Sequence, residues 1–182
     1  MSEWVHLGQL KFTLRTTCSL FGVFDGHGGQ EVSSFLSMHM HQLGAEEMCK
    51  DLEDTSNATE ALRRAFERAD YLVRDLATGS LSSNPTRSDP GSTAVVALLM
   101  GQSVFVANTG NSRAFICSSR HGGDSIDAQA NLEGGRDISL GELRPIALSR
   151  PHQVSQPDER SRLIQAGASI SGWLVHSYCL KP

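Results

Sequence analysis

Three apolar runs joined by very short turns limit the fold of this chain more than any other feature. Ser92 to Met100 is a run of Thr, Val, Ala and Leu, Gly101-Gln102 reads as a tight hairpin, and Ser103 to Asn108 reads as the return strand. Glycine supplies the positive φ that such a turn needs. Thr109-Gly110-Asn111 then turns into a third run, Arg113 to Cys117. Consecutive strands with turns this short predict an antiparallel meander. Their continuous apolar character predicts that both faces are covered, as in the centre of a layered α/β sandwich.

The flanking stretches carry helical signals. Leu20 to Phe24 reads as a short buried strand stopped by Asp25-Gly26, and Gly28-Gly29 opens a helix. Val32, Phe35, Leu36, Met40 and Leu43 recur at steps of three and four, which makes one face apolar. Ser33, Ser34, Ser37, His41 and Gln42 fall mostly on the other side, and Gly44 is a stop signal, with Glu46-Glu47-Met48 as the alternative extension. After an acidic loop from Asp51 to Asn57, the pair Asn57 and Glu60 has capping-box spacing. Ala61, Leu62, Ala65, Phe66, Ala69, Leu72, Val73 and Leu76 then hold helical period to Gly79. Arg63, Arg64, Glu67, Arg68 and Arg74 read as a solvated face laced by i,i+4 pairs rather than as a phosphate patch.

Ser80 to Gly91 is rich in Ser, Pro, Asn and Asp and reads as a loop. Ser118 to Leu143, with two Gly-Gly pairs and little periodicity, reads as an irregular, mobile surface insertion. Arg144 to Ser149 is a fourth strand candidate. Gln156-Pro157-Asp158-Glu159 has proline and acids where a helix starts, and Gly167 ends that helix. Ile170 to Pro182 is strand-like with no evident partner.

Composition removes several functional classes. A chain of 182 residues is about one domain. Sixteen Lys+Arg against twenty Asp+Glu give a net charge of −4, which argues against a general nucleic-acid binder. The longest apolar run, Ala94 to Met100, falls far short of the ~20 residues that span a bilayer, so no membrane role is expected. Met1 to His6 has neither the basic nor the apolar part of a signal peptide. Cys18, Cys49, Cys117 and Cys179 lie far apart and form no zinc-ligand pair. Reduced thiols in an intracellular compartment, cytoplasmic or nuclear, are the expectation. No G-x-x-x-x-G-K-[ST] loop occurs. Gly110-Asn111-Ser112-Arg113-Ala114 imitates a hydrolase nucleophile elbow, but the elbow needs a helix after its serine and a strand follows here.

The chemistry concentrates in Phe21-Gly22-Val23-Phe24-Asp25-Gly26-His27-Gly28-Gly29. A carboxylate at a strand end is held by the sheet behind it and suits a hard cation such as Mg²⁺ or Mn²⁺. Gly26 lets its own carbonyl come close enough to coordinate. His27 is placed to donate a proton to a leaving oxygen. The spacing alone is equally met by a polar strand-to-helix turn in which Asp25 caps the helix.

Several stretches together resemble the metal-dependent protein serine/threonine phosphatases, the type 2C or PPM family. Phe21 to Gly29 (FGVFDGHGG) matches that family's signature, and Gly91-Ser92-Thr93-Ala94 (GSTA) resembles its second motif. Val106 to Ala114 (VANTGNSRA) resembles the third. Leu148-Ser149-Arg150-Pro151-His152, followed by Glu159-Arg160, Arg162-Leu163-Ile164 and Ala166-Gly167, resembles the fourth. The order is the family's. The resemblance implies an α+β fold, a layered α-β-β-α sandwich of antiparallel sheets flanked by helices, incomplete in this chain. It places a partial phosphatase domain on residues 20–168 with a loop insertion at 118–143, an N-terminal segment 1–19 outside the family pattern and a divergent tail at 169–182. It implies a binuclear Mn²⁺ or Mg²⁺ centre, with Asp25 bridging the metals, the Gly26 carbonyl on one of them and His27 as general acid. The reaction would be hydrolysis of phosphoserine or phosphothreonine on a phosphoprotein by metal-activated water.

The departures from the pattern bear on activity. The family's phosphate-gripping Arg and metal-supporting Glu-Asp pair precede its signature, whereas only Glu3 is acidic before Asp25 here. The remaining metal aspartates of the family lie downstream, and no Asp or Glu follows Glu159. Pro151 and Asn111 stand where the family usually has Asp. The sequence thus predicts a truncated member. Its first reading is a phosphatase, and the alternative is a catalytically inactive fragment acting as a binding or regulatory module.

Overall fold

The computed structural model describes residues 4–6, 10–13, 17–50, 57–80, 90–119, 143–171 and 174–176. The expected acidic loop at 51–56, most of the 118–143 insertion and the last residues of the tail lie outside the described residues.

An antiparallel sheet of six strands organises the chain: β1 (Trp4–His6), β2 (Leu10–Thr13), β3 (Thr17–His27), β4 (Gly91–Ser92), β5 (Ala94–Met100) and β6 (Ser103–Thr109). The eleven-residue β3 is its spine. β1 and β2 pair with its two halves along one edge, β4 and β5 pair along the other, and β6 lies beyond β5. The strand does not stop at Asp25, as the sequence had suggested. Gly26 and His27 are opposed by Ser92 and Gly91, and this pairing carries β3 on to His27. The expected strand from Ser92 to Met100 is interrupted only at Thr93, with β4 before the break and β5 after it. The hairpin reads as expected: Met100 opposes Ser103, and Gly101 takes a φ of 60° in the turn.

Two helices cover one face of the sheet. α1 (Glu31–Lys50) runs back along β3, and α2 (Ala58–Ser80) packs against α1 and reaches β6. Gly44 does not end α1. It faces the core, where a Cβ would sit 2.7 Å from Leu20 Cδ1, so its missing side chain lets helix and strand approach. Ser33, expected on the wet side, is fully buried against the turn before α1. Cys18, Leu20 and Phe24 of β3 and Val96, Leu98 and Met100 of β5 meet Leu36, Met40, Leu43 and Met48 of α1 in one cluster. Ala58, Ala61, Ala65 and Ala69 of α2 join it, small enough to bring the second helix close. Each fully buried large side chain contributes about 1.5–3 kcal/mol.

The arginines of α2 divide in two. Arg63 pairs with Glu60 and Glu67, and Arg74 with Asp70, as the expected solvated i,i+4 face. Arg64 and Arg68 instead reach across to α1, where Glu47 is buried. Glu47 receives Lys50 Nζ at 2.6 Å, Arg64 Nε at 3.2 Å and Arg68 Nη1 at 3.4 Å. The hydrogen bond from Lys50, with that from Arg64, holds its carboxyl below the usual range.

The third run of the expected meander leaves the sheet. β7 (Phe115–Ser119) pairs with β8 (Leu143–Ala147) in a separate two-stranded ribbon, not with β6. Gly110, at a φ of 86°, redirects the chain between β6 and β7. Such a φ is costly for residues other than glycine. α3 (Pro157–Gln165) begins at the predicted proline. β9 (Ser169–Ser171) and β10 (Leu174–His176) pair with each other, giving the tail the partner its sequence did not reveal.

Candidate functional site

The site forms where β3 ends. Asp25 is half-buried on the central strand, opposite Trp4 of β1 in register. Its main chain is tied on the other side: Thr93 N–H donates to the Asp25 carbonyl at 2.9 Å, and Asp25 N–H points to Thr93 Oγ1 at 3.4 Å. Thr93 is buried, and its hydroxyl lies 2.7 Å from Ser112 Oγ. The backbone of Gly110 closes over Thr93, with a Cβ position only 2.8 Å from Thr93 Cγ2. The main chain of Asp25, the threonine and the 110–112 turn therefore form one wired unit.

The segment before α3 is stitched onto the same turn. His152 N–H donates to the Gly110 carbonyl at 2.9 Å, and Asn108 Nδ2 donates to the Arg150 carbonyl at 2.9 Å. Ala114 N–H donates to Ser149 Oγ at 3.0 Å, and Leu148 N–H donates to the Ala114 carbonyl at 2.9 Å. Glu159, buried on α3, takes two hydrogen bonds from Arg162 at 2.8 and 2.6 Å. Arg162, with a further contribution from His152, keeps the Glu159 carboxyl below the ordinary range. Asn111 is exposed and Pro151 half-buried, so the two positions where the resemblance would have an acid carry none.

Gly26 and His27 follow Asp25 on the strand rather than in a turn. A Cβ on Gly26 would fall 2.5 Å from Ser33 Oγ and 3.2 Å from the Gly29 carbonyl, so the bare backbone is required for the strand to meet the start of α1. Ser33 Oγ is itself anchored to the Gln30 carbonyl at 3.1 Å. His27 is exposed, and the Nε2 side of its ring lies over Gly91 on β4.

The structure thus brings Asp25, Gly26 and His27 together and adds residues to which sequence reasoning gave no role. Thr93, Ser112 and Gly91 sit in motif-like stretches, but nothing in spacing alone says that two hydroxyls link to a strand amide or that a glycine receives a ring. As a metal centre the donor set is thin. Asp25 supplies a carboxylate and Gly26 a carbonyl, but among the described residues no three His, Cys, Asp or Glu side chains come together. A divalent cation of this kind takes about six oxygens. The residues described do not fit a complete binuclear centre.

The model of the protein phosphatase 2C family matches residues 2–177. Probable protein phosphatase 2C 67 of Oryza sativa subsp. japonica is 32% identical over 155 residues, covering 84% of this chain and 38% of that protein. Protein phosphatase 2C 50 of the same plant is 30% identical over 183 residues, with 92% of this chain and 41% of that protein covered. A serine-threonine phosphatase 2C from Toxoplasma gondii is similar in fold, with a TM-score of 0.55 at 16% identity, over 93% of this chain and 60% of that one. The chain spans about two fifths of the length of these plant relatives.

Proposed function

Because the chain belongs to the protein phosphatase 2C family, we propose that its 25–27 strand end is part of a site that hydrolyses phosphoserine and phosphothreonine on proteins. One observation carries this reading: all four motif stretches, scattered over more than a hundred residues, are hydrogen-bonded into one unit around Asp25. In this reading Asp25 and the Gly26 carbonyl supply oxygens toward Mn²⁺ or Mg²⁺, and His27 delivers a proton to the leaving alkoxide. The sheet fixes Asp25, the Thr93–Ser112 hydroxyl pair fixes the strand amide beside it, and the exposed His27 ring faces solvent where a phosphoprotein would approach. General acid catalysis of this type is worth roughly 10²–10⁴ in rate. The described donors fall short of two cations.

That shortfall favours a second reading for the 182 residues acting alone, as an inactive module that binds what the complete enzyme binds. In both readings the phosphatase domain is placed on residues 20–168, with the 118–143 insertion within it and the tail at 169–182. No helix among the described residues is long and apolar enough to cross a membrane, and none of the three described cysteines is in a disulfide. A cytoplasmic or nuclear setting suits reduced thiols.

Mn²⁺ alone, followed by electron paramagnetic resonance, tests the ligand assignment. Weak association in the wild type that is lost in Asp25→Asn is expected. Equal binding by both proteins would remove Asp25 from the metal role.

A further inference from the structure

We propose that Gly91 is the positioning residue for the His27 imidazole. The proposal deepens the reading above, because it matters to the reaction only if His27 is the proton donor. The register of β3 and β4 sets His27 directly opposite Gly91. Directly opposed residues in an antiparallel pair have Cβ atoms about 4.5–5.5 Å apart, on the same side of the sheet. Here one of the two side chains is missing, and the other has moved into its place. A Cβ built on Gly91 would lie 2.5 Å from His27 Nε2, 2.8 Å from Cε1 and 3.3 Å from Cδ2. The ring occupies the volume that any side chain at 91 would need.

The requirement is one of space and not of backbone conformation. Among the described residues, Gly28, Gly101, Gly110 and Gly167 are the glycines with positive φ, and Gly91 is not one of them. Alanine would fit the backbone at 91, so the cost of a methyl there falls on the neighbour that can yield. The strands cannot yield easily, because the Thr93 amide bonded to the Asp25 carbonyl at 2.9 Å locks β4 to β3. The exposed imidazole can, by rotating about its two side-chain torsions. Gly26 and Gly110 differ in this respect, since their missing side chains are filled by Ser33 and Thr93, which belong to the packed framework. A proton donor must hold its nitrogen within about 2.6–3.2 Å of the leaving oxygen. A ring pushed off β4 loses that placement while the fold stays intact.

The experiment is NMR on the full 182-residue chain with labelled histidine, the His27 ring signals being assigned by their loss in His27→Gln. In the wild type, nuclear Overhauser effects are expected from the His27 Hε1 and Hδ2 protons to the Gly91 Hα protons. In Gly91→Ala these are expected to disappear and the ring shifts to move to those of an unrestrained histidine. The melting temperature is expected to stay within about 4 °C, the shift that ~1 kcal/mol produces in a chain of this size. A wild-type ring without the Gly91 effects, or a Gly91→Ala ring with unchanged shifts, overturns the proposal. Should the alanine variant fail to fold, the wild-type effects alone decide. None of these readouts needs turnover, so a His27 that proves not to be the proton donor would leave the measured contact standing.

Discussion

The two faces of the β3–β5–β6 sheet are built from the same strands and are treated in opposite ways. Toward the helices, Cys18, Leu20, Phe24, Val96 and Leu98 are fully buried, and the buried charge there, Glu47, is met by three cationic side chains. On the other face Phe21 is 39% exposed, Leu99 40% and Val104 49%. Leu99 and Val104 are cross-strand partners, with Ser19 on the far side of Leu99, so the uncovered apolar residues sit close together. The β7–β8 ribbon repeats this pattern with Phe115, Ile116 and Ile146 exposed. Along the strand axis a similar split recurs: the site end is wired by hydrogen bonds, yet the donors described there fall short of two divalent cations. Among the described residues, one face of the sheet is thus covered and the other carries apolar side chains in the open. The chain's share of two fifths of its plant relatives fits this picture.

The sharpest way to break the comparison is to cut equally large side chains from the two faces. Phe24→Ala removes a side chain with no exposure, and a loss of about 3–5 kcal/mol is expected in urea unfolding. Phe21→Ala, three residues away on the other face, is expected to cost about 1 kcal/mol or less. Equal losses would mean that the second face is covered in solution.

The Glu47 cluster sharpens the same contrast through charge. Glu47→Gln is expected to cost about 2 kcal/mol, the worth of hydrogen bonds to a charged group left half-made. Its folded-state carboxyl lies below the ordinary range, chiefly through Lys50. The stabilisation is therefore complete above the unfolded carboxylate pKa and is lost as pH falls through the folded one. The variant's deficit, followed by thermal melting against pH, is expected to shrink on acidification. A deficit independent of pH would make Glu47 a packing residue only.

At the site end, Gly26→Ala sets a methyl against Ser33 Oγ, and a cost of about 1–2 kcal/mol is expected from overpacking. Ser33→Ala in the same chain is expected to relieve part of it. Additive losses would show that Gly29, the other contact, sets the clash. The smallest effect is expected on the open face, where Leu99→Thr changes stability by less than about 0.5 kcal/mol.

How much of this was written in the sequence differs by element. The hairpin at Gly101-Gln102 and the start of α3 at Pro157 were legible, because local turn chemistry and capping decide them. α1 was readable as a helix, but the sequence left open whether it stops at Gly44 or runs on through Glu46-Glu47-Met48, because Gly44 packs against Leu20 and only tertiary packing shows that. The exit of β7 from the sheet was missed for a related reason. Its apolar run looks like a third meander strand, and what turns it away is Gly110 closing on Thr93, a contact between residues 17 apart in sequence. At the site, Asp25, Gly26 and His27 were legible as a carboxylate, a bare backbone and an imidazole at a strand end. The partners Thr93, Ser112 and Gly91 were not, because their roles depend on strand register.

Turnover of a phosphothreonine peptide by the isolated chain in millimolar Mn²⁺, beside the Asp25→Asn variant, tests the central claim most directly. The described donors, Asp25 and the Gly26 carbonyl, are too few for two cations, so both proteins are expected to release phosphate only at the rate of the enzyme-free control. Robust release by the wild type that vanishes in Asp25→Asn would contradict the account, and would mean that this chain assembles a working metal site from residues not assigned to it here.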